Sequence, residues 1–185
     1  MKNIAVVFGA FLTLFFVSCE GDPGPPGFDG LDGPQGPAGP AAGQVIDIFG
    51  DFAADSNYGF FYSFQDDGIE VLETDVVLVY LSFDQVEDNN GEPVDIWRLL
   101  PQTRLLDQGI LQYNYEHDFF RVDIFLESDF DLSTLEPGDT DNQKFRIAIL
   151  PADFVQTAKL DKSNIGSVMS SLGISEKDVP KIRTN

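Results

Sequence analysis

The sequence predicts a mainly β fold, an antiparallel β-sandwich or partly open barrel with a short C-terminal helix, mounted behind an apolar leader and a polyproline II stalk. Three observations lead there. Residues 4–17 form an apolar run that ends beside Cys19, the only cysteine of the 185-residue chain. Gly then recurs at every third position from Gly21 to Gly39. From Gln44 onward, short aromatic and β-branched runs alternate with turns rich in Asp, Asn and Gly. The expected segments are 1–18, 19–43, a β domain over 44–174, and a polar tail over 175–185.

The leader comes first. Lys2 supplies a positive start, and the apolar run from Ile4 to Val17 is interrupted only by Gly9 and Thr13. A membrane-spanning helix needs about 20 apolar residues, so a run this short reads as the core of a signal peptide. The residues that follow, Phe16-Val17-Ser18-Cys19, resemble the bacterial lipobox, with Phe16 where Leu is commoner. The resemblance implies cleavage before Cys19 and acylation (palmitate-type chains) of its thiol. Two or three acyl chains anchor a protein stably where one is marginal, because each buried CH₂ contributes about 0.8 kcal/mol. Cys19 is thus predicted to be an anchor to the membrane rather than a catalytic or redox thiol. The start Glu20-Gly21-Asp22 resembles the short acidic signals that send Bacteroidota lipoproteins to the exterior face of the outer membrane. The expected location is therefore the outer membrane, lipid-anchored and facing the cell exterior, with a periplasm-facing location as the alternative.

The stalk is seven triplets, GDP, GPP, GFD, GLD, GPQ, GPA and GPA, from Gly21 to Ala41. Three polyproline II strands can share an axis only where a residue has no side chain, which is why period-three Gly with abundant Pro marks a collagen-like repeat. At roughly 3.1 Å per residue the repeat spans about 65 Å. Asp22, Asp29 and Asp32 lie in it without a basic residue. Three parallel copies would set like charges side by side, so the alternatives are a homotrimer through residues 21–41 or a single semi-rigid spacer. Ala41-Ala42-Gly43 breaks the period and is expected to act as a hinge.

The predicted strands of the domain are Gln44 to Phe49, Gly59 to Phe64, Ile69 to Leu72, Val76 to Phe83, Val94 to Leu100, Ile110 to His117, Phe119 to Leu126 and Lys144 to Leu150. Asp66-Asp67-Gly68, Asn89-Asn90-Gly91 and Asp107-Gln108-Gly109 supply turn signals that favour antiparallel hairpins. Phe120, Val122, Ile124 and Leu126 lie on one face of a strand with Arg121, Asp123 and Glu127 on the other, which predicts one buried and one wet face. Val76 to Leu81 is apolar throughout, as a strand covered on both faces would be. Pro151 to Lys159 can form a turn of helix. Ser163 to Leu172 predicts a short helix capped by Ser163 or Asn164 and stopped by Gly173, its Ile165, Val168, Met169 and Leu172 stripe closing one open end of the sheet. Beyond Ser175 the chain is expected to fray.

Taken together, the lipobox, the triplets, Ile96-Trp97-Arg98-Leu99-Leu100-Pro101-Gln102-Thr103 and Phe145-Arg146-Ile147-Ala148-Ile149-Leu150-Pro151 resemble the small collagen-like lipoproteins of Bacteroidota. The resemblance implies location and architecture only, since that family carries no established catalytic residues.

Charge and composition exclude other classes. With 31 Asp+Glu against 11 Lys+Arg, the formal charge is -20, which opposes binding to nucleic acid phosphates or to an anionic lipid surface. One Cys excludes an intrachain disulfide framework, and one His excludes a multi-histidine metal site. His117 lies at a strand junction in Tyr115-Glu116-His117-Asp118 and reads as a turn or edge residue; no catalytic residue is assigned and no enzyme is expected. Calcium is the one metal the composition suits, because it takes oxygen ligands. Its weak candidates are Asp84, Glu87 and Asp88 in one acidic loop, and Asp139 and Asp141 in another that also holds Asp129 and Asp131. Neither loop has EF-hand spacing, since Gly91 as sixth position puts Val86 first, and both otherwise read as solvated loops. The aromatic stretches Tyr58, Phe60, Phe61, Tyr62, Phe64 and Tyr113, Tyr115, Phe119, Phe120 are expected in the core.

The predicted role is a non-catalytic surface lipoprotein that displays a β-sandwich interaction domain on a spacer. It stands free or serves as accessory subunit of an outer-membrane protein assembly. The alternative is a calcium-dependent carbohydrate-binding module on the cell surface.

Overall fold

The computed structural model describes residues 43–157 and 160–184, with the side chains of Asp153, Gln156 and Thr157 left aside. The leader, Cys19 and the triplet repeat lie outside the described residues, as does the hinge up to Ala42. Over the rest, the chain is mainly β. Nine strands are present among the described residues: β1 (Gln44–Gly50), β2 (Gly59–Ser63), β3 (Val76–Glu87), β4 (Pro93–Leu99), β5 (Gln102–Leu106), β6 (Gly109–His117), β7 (Arg121–Ser128), β8 (Gln143–Leu150) and β9 (Lys181–Arg183). They form a five-stranded sheet in the order β4-β3-β8-β1-β9 and a four-stranded sheet in the order β2-β7-β6-β5, and no closed barrel is formed. The chain leaves the first sheet for the second at Leu100-Pro101, a cis peptide bond.

The inner faces of the two sheets share one core. Ile46 and Ile48 of β1, Val77, Val79 and Leu81 of β3, and Phe145, Ile147 and Ile149 of β8 belong to it. So do Tyr62 of β2, Leu111 and Tyr113 of β6, and Val122, Ile124 and Leu126 of β7. The alternation expected of β7 is therefore present from Val122 to Leu126, but Phe120 precedes the strand and is 54% exposed. Close approach fixes one glycine here: a Cβ on Gly50 would fall on the Phe60 ring.

The continuous apolar run of β3 has the predicted cause. Alternate residues Leu78 and Tyr80 point away from the main core into a second one, with Val45, Ala148 and Leu150. This second core is roofed by helix α3 (Ile165–Leu172), through Ile165, Val168 and Met169. Two shorter helices precede it in the chain, α1 (Pro137–Thr140) and α2 (Ala152–Thr157). Asn164 caps α3 by accepting from the Ser167 amide at 3.1 Å, and Gly173 ends it at φ +70°, a left-handed cap that needs no Cβ. The helix thus lies on the outer face of the five-stranded sheet rather than across an open end, because its apolar stripe matches the outward residues of β1, β3 and β8.

Other departures have local causes. Ile69 to Leu72 is not a strand: Val71 is buried and Ile69 packs against the core, so these residues plug the domain without joining a ladder. β5 was not expected because it reverses the usual alternation, with Leu105 82% exposed while Arg104 is partly covered. It supplies the partner for the Asp107-Gln108-Gly109 hairpin. The tail is not frayed throughout. Glu176–Asp178 forms a 3₁₀ turn, and β9 pairs in parallel with β1 through Asp47↔Lys181, Ile48↔Ile182 and Phe49↔Arg183, which makes the first sheet mixed rather than antiparallel.

Candidate functional site

The outer face of the five-stranded sheet carries an ionic cluster where a β domain would ordinarily place either water or apolar side chains. β1 and β8 pair Asp47 directly with Arg146, so their outward side chains meet across the ladder. β8 adds Lys144 two residues earlier. β4 brings Asp95 and Trp97, and the 3₁₀ turn after α3 brings Glu176.

Arg146 is 1% exposed and Asp47 is fully buried. The guanidinium donates from Nε to Asp47 Oδ1 at 2.6 Å, from Nη2 to Asp47 Oδ2 at 3.0 Å, and from Nη1 to Glu176 Oε2 at 2.7 Å. Its planar fork suits this paired recognition of two carboxylates. Its face lies 4.3 Å from the centroid of the Trp97 ring, a cation–π contact in a desolvated setting. Lys144 bonds Asp95 and sits 5.2 Å from the Trp97 centroid and 5.7 Å from that of Phe49.

These contacts govern protonation. Burial works against the charged form of Arg146, but the hydrogen bonds of Glu176 and Asp47 outweigh it and raise the pKa. Glu176 is held below the usual carboxylate range by Arg146. Burial pushes Asp95 up, yet the bonds from Lys144 and Gln85 hold it lower still. Fixed charges of this kind position elements and steer ligands; they are poorly suited to giving or taking protons near neutral pH.

A groove of about 880 Å³ runs beside the cluster, with Val94, Asp95, Trp97, Lys144, Asn164 and Met169 in its lining. A second recess of about 410 Å³, near Gly43 and Ile46, has Tyr62, Ile69 and Ile182 in its lining together with the acids Asp67 and Asp178. The groove joins an aromatic ring, apolar walls and charged groups held in place, which is the composition of a binding surface.

The residues singled out from sequence are dispersed. Asp84 pairs with Arg98 at 3.4 Å. Glu87 ends β3. Asp88 accepts from the amides of Asn90 at 2.7 Å and Glu92 at 2.9 Å, which close the β3–β4 turn and hold its carboxyl below the ordinary range. Asp139 is buried against Arg104, and its carbonyl accepts from the Tyr113 hydroxyl at 2.8 Å. Asp141 accepts from Thr140 Oγ1 at 2.8 Å. Among the described residues no three His, Cys, Asp or Glu side chains converge as metal ligands would. His117 ends β6, exposed, with its ring stacked 6.4 Å from Tyr115.

Of the aromatics, Tyr62, Phe64 and Tyr113 are buried and Tyr58, Phe60 and Tyr115 pack against the core. Phe61, Phe119 and Phe120 are exposed instead, Phe61 beneath the Arg121 guanidinium. Sequence reasoning did not single out Asp47, Lys144 or Arg146. The signal was present in polar residues at alternate positions of strands that are otherwise apolar. No helix among the described residues is long and apolar enough to cross a membrane. No family model matches the chain, and no curated protein or solved structure matches it either.

Proposed function

We propose that this protein is a non-catalytic lipoprotein of the outer-membrane surface, anchored through Cys19 and displaying a β-sandwich interaction domain on a collagen-like spacer. The observation that carries the reading is an order in the sequence: an apolar run too short to span, the sole cysteine at its end, then seven Gly-X-Y triplets before the domain begins. The anchor restrains one end of the chain and the stalk holds the domain clear of the lipid headgroups. Binding falls to the domain surface, and the groove beside Trp97 is the surface we assign to a partner. That partner is a protein of an outer-membrane assembly or a ligand of a free-standing binder.

The anchor is tested by growing cells with a clickable palmitate analogue and comparing the natural chain with Cys19→Ala. The reading predicts label on the natural chain and none on the variant, with the variant leaving the membrane fraction. An equally labelled or equally membrane-bound variant would overturn it. Co-purification in gentle detergent then separates the two settings: a stoichiometric outer-membrane protein identifies an accessory subunit, and recovery alone identifies a free-standing binder. A rise in melting temperature with calcium together with retention on a glycan would bring the carbohydrate-binding alternative forward.

A further inference from the structure

The groove beside Trp97 has an open sheet edge for one of its walls. β4 pairs with β3 and is the last strand on its side of the five-stranded sheet, so among the described residues no strand lies along its other edge. Two hydrogen bonds fix which groups point outward there. Leu100 N donates to Val79 O at 2.8 Å at one end of the pair, and Asp88 N donates to Glu92 O at 2.9 Å at the other. Both set the even-numbered residues of β4 against β3, because successive residues of an antiparallel strand turn their main chain to opposite sides. The bulge between Ser82 and Asp84 adds its extra residue to β3 and leaves this alternation of β4 intact. The amides and carbonyls of Asp95 and Trp97 and the amide of Leu99 are therefore aimed off the open edge. The Leu99 carbonyl is taken by Gln102 Nε2 at 2.7 Å, and Pro93 has no N–H to offer.

The space beside that edge is the groove of about 880 Å³, which Pro93, Val94, Asp95 and Trp97 line together with Asp161 and Asn164. The charges around it decide what can lie there. Glu87, Asp88 and Glu92 stand at the β3–β4 turn and Asp161 in the groove, and among the described residues none of the four is in an ion pair. The cations nearby are mostly spoken for: Arg98 pairs with Asp84, Lys144 with Asp95, and Arg146 with Asp47 and Glu176. Lys181 is the one lining cation outside a pair among the described residues. A second copy of the chain would bring the same acids against these, which opposes pairing of β4 with itself.

We infer that the open edge of β4 receives an extended basic segment of a partner protein, which adds to the sheet as a further strand and sets its lysines or arginines among Glu87, Glu92 and Asp161. Main-chain bonds to Asp95 and Trp97 supply affinity whatever the sequence, while the groove and its acids choose the side chains. Opposite charge across the contact speeds encounter and fixes the register. The inference rests on the assignment of the Trp97 groove to a partner and adds what that partner is and how it binds.

The test is hydrogen–deuterium exchange of the full chain in mild detergent, with a capped heptapeptide of alternating lysine and threonine as probe. The expected result is saturable binding that slows exchange of the Asp95 and Trp97 amides and weakens as sodium chloride is added. Glutamate in place of lysine in the probe should weaken binding about tenfold, and so should N-methylation of its two central residues, which removes a donor from each edge. Val94→Lys, at a side chain 47% exposed in the groove wall, should weaken the lysine probe about threefold and leave the melting temperature unchanged. If the N-methylated probe binds as tightly as its parent and Val94→Lys weakens both, the groove takes side chains and not a strand; the inference falls and the groove assignment stands. A lysine probe that does not bind, or that protects only another strand, overturns the inference. A natural partner that co-purifies equally with the Val94→Lys chain overturns the groove assignment and the inference with it.

Discussion

The two sheets of this domain face the same core but have opposite fates on their outer sides. The five-stranded sheet is covered twice, by the core on one face and by α3 and the Arg146 cluster on the other. Among the described residues the four-stranded sheet is covered once. Its outer face carries exposed Phe61 and Leu105 and a row of polar side chains in which Asn114 donates to Gln112 at 3.2 Å. The difference teaches how coverage writes itself into sequence: a strand buried on both faces loses its alternation, and a strand buried on one face keeps it. It also shows that a covered outer face need not be apolar. Where β1 and β8 meet the C-terminal segment, opposite charges with complete hydrogen bonding replace a hydrophobic contact.

The largest expected effect comes from unbalancing that covered face. Asp47→Ala leaves Arg146 buried with only the exposed Glu176 as carboxylate partner, and breaking a buried pair in this way costs about 3–5 kcal/mol. Urea unfolding should show the loss. A variant with unchanged stability would mean that water reaches Arg146 and that the two outer faces are less different than described.

Next comes a matched pair of truncations, one on each side of the contrast. Leu81→Ala, at a fully buried position of β3, should cost about 2–5 kcal/mol through lost burial and the cavity left behind. Leu105→Ala, at a position 82% exposed on β5, should stay within about 0.5 kcal/mol of the natural chain. Equal losses would show that the outer face of the four-stranded sheet is covered in solution.

A further small effect is electrostatic. Glu176 has a folded pKa below its unfolded one, so its contribution is present above the unfolded value and is lost as pH falls through the folded one. Stability should therefore decline on acidification below about pH 4.3, the ordinary value for Glu. Glu176→Gln should flatten part of that decline and cost less than about 1 kcal/mol at neutral pH, because the side chain is 66% exposed and water screens its charge. An acid limb of unchanged steepness would assign the decline to other carboxylates such as Asp95.

Much of this was legible before the structure. The apolar run of β3, the alternation of β7, the Asn89-Asn90-Gly91 hairpin and both caps of α3 each follow from a local rule, and local rules act on neighbours in sequence. What escaped was set by distant partners. β9 is three residues long, and two of them are charged; it is a strand because Lys181, Ile182 and Arg183 meet the open edge of β1. Arg104 occupies an inward position of β5 because Asp139, 35 residues later, is there to receive it. Asp47 and Arg146 look like surface residues in isolation and become a buried pair only through the β1–β8 register. The exposure of Phe119 and Phe120 has the reverse origin. Asp118 Oδ1 accepts from the amides of Phe120 at 2.7 Å and Arg121 at 2.9 Å, which makes this stretch the turn between β6 and β7.

The central claim, display of this domain at the cell exterior by the Cys19 anchor, is tested most directly by adding a protease to intact cells and following the domain with an antibody. The account predicts that the domain is digested on intact cells making the natural chain, that an internal periplasmic marker survives, and that Cys19→Ala cells carry no cell-attached domain open to digestion. Survival of the natural domain until the outer membrane is opened would contradict it.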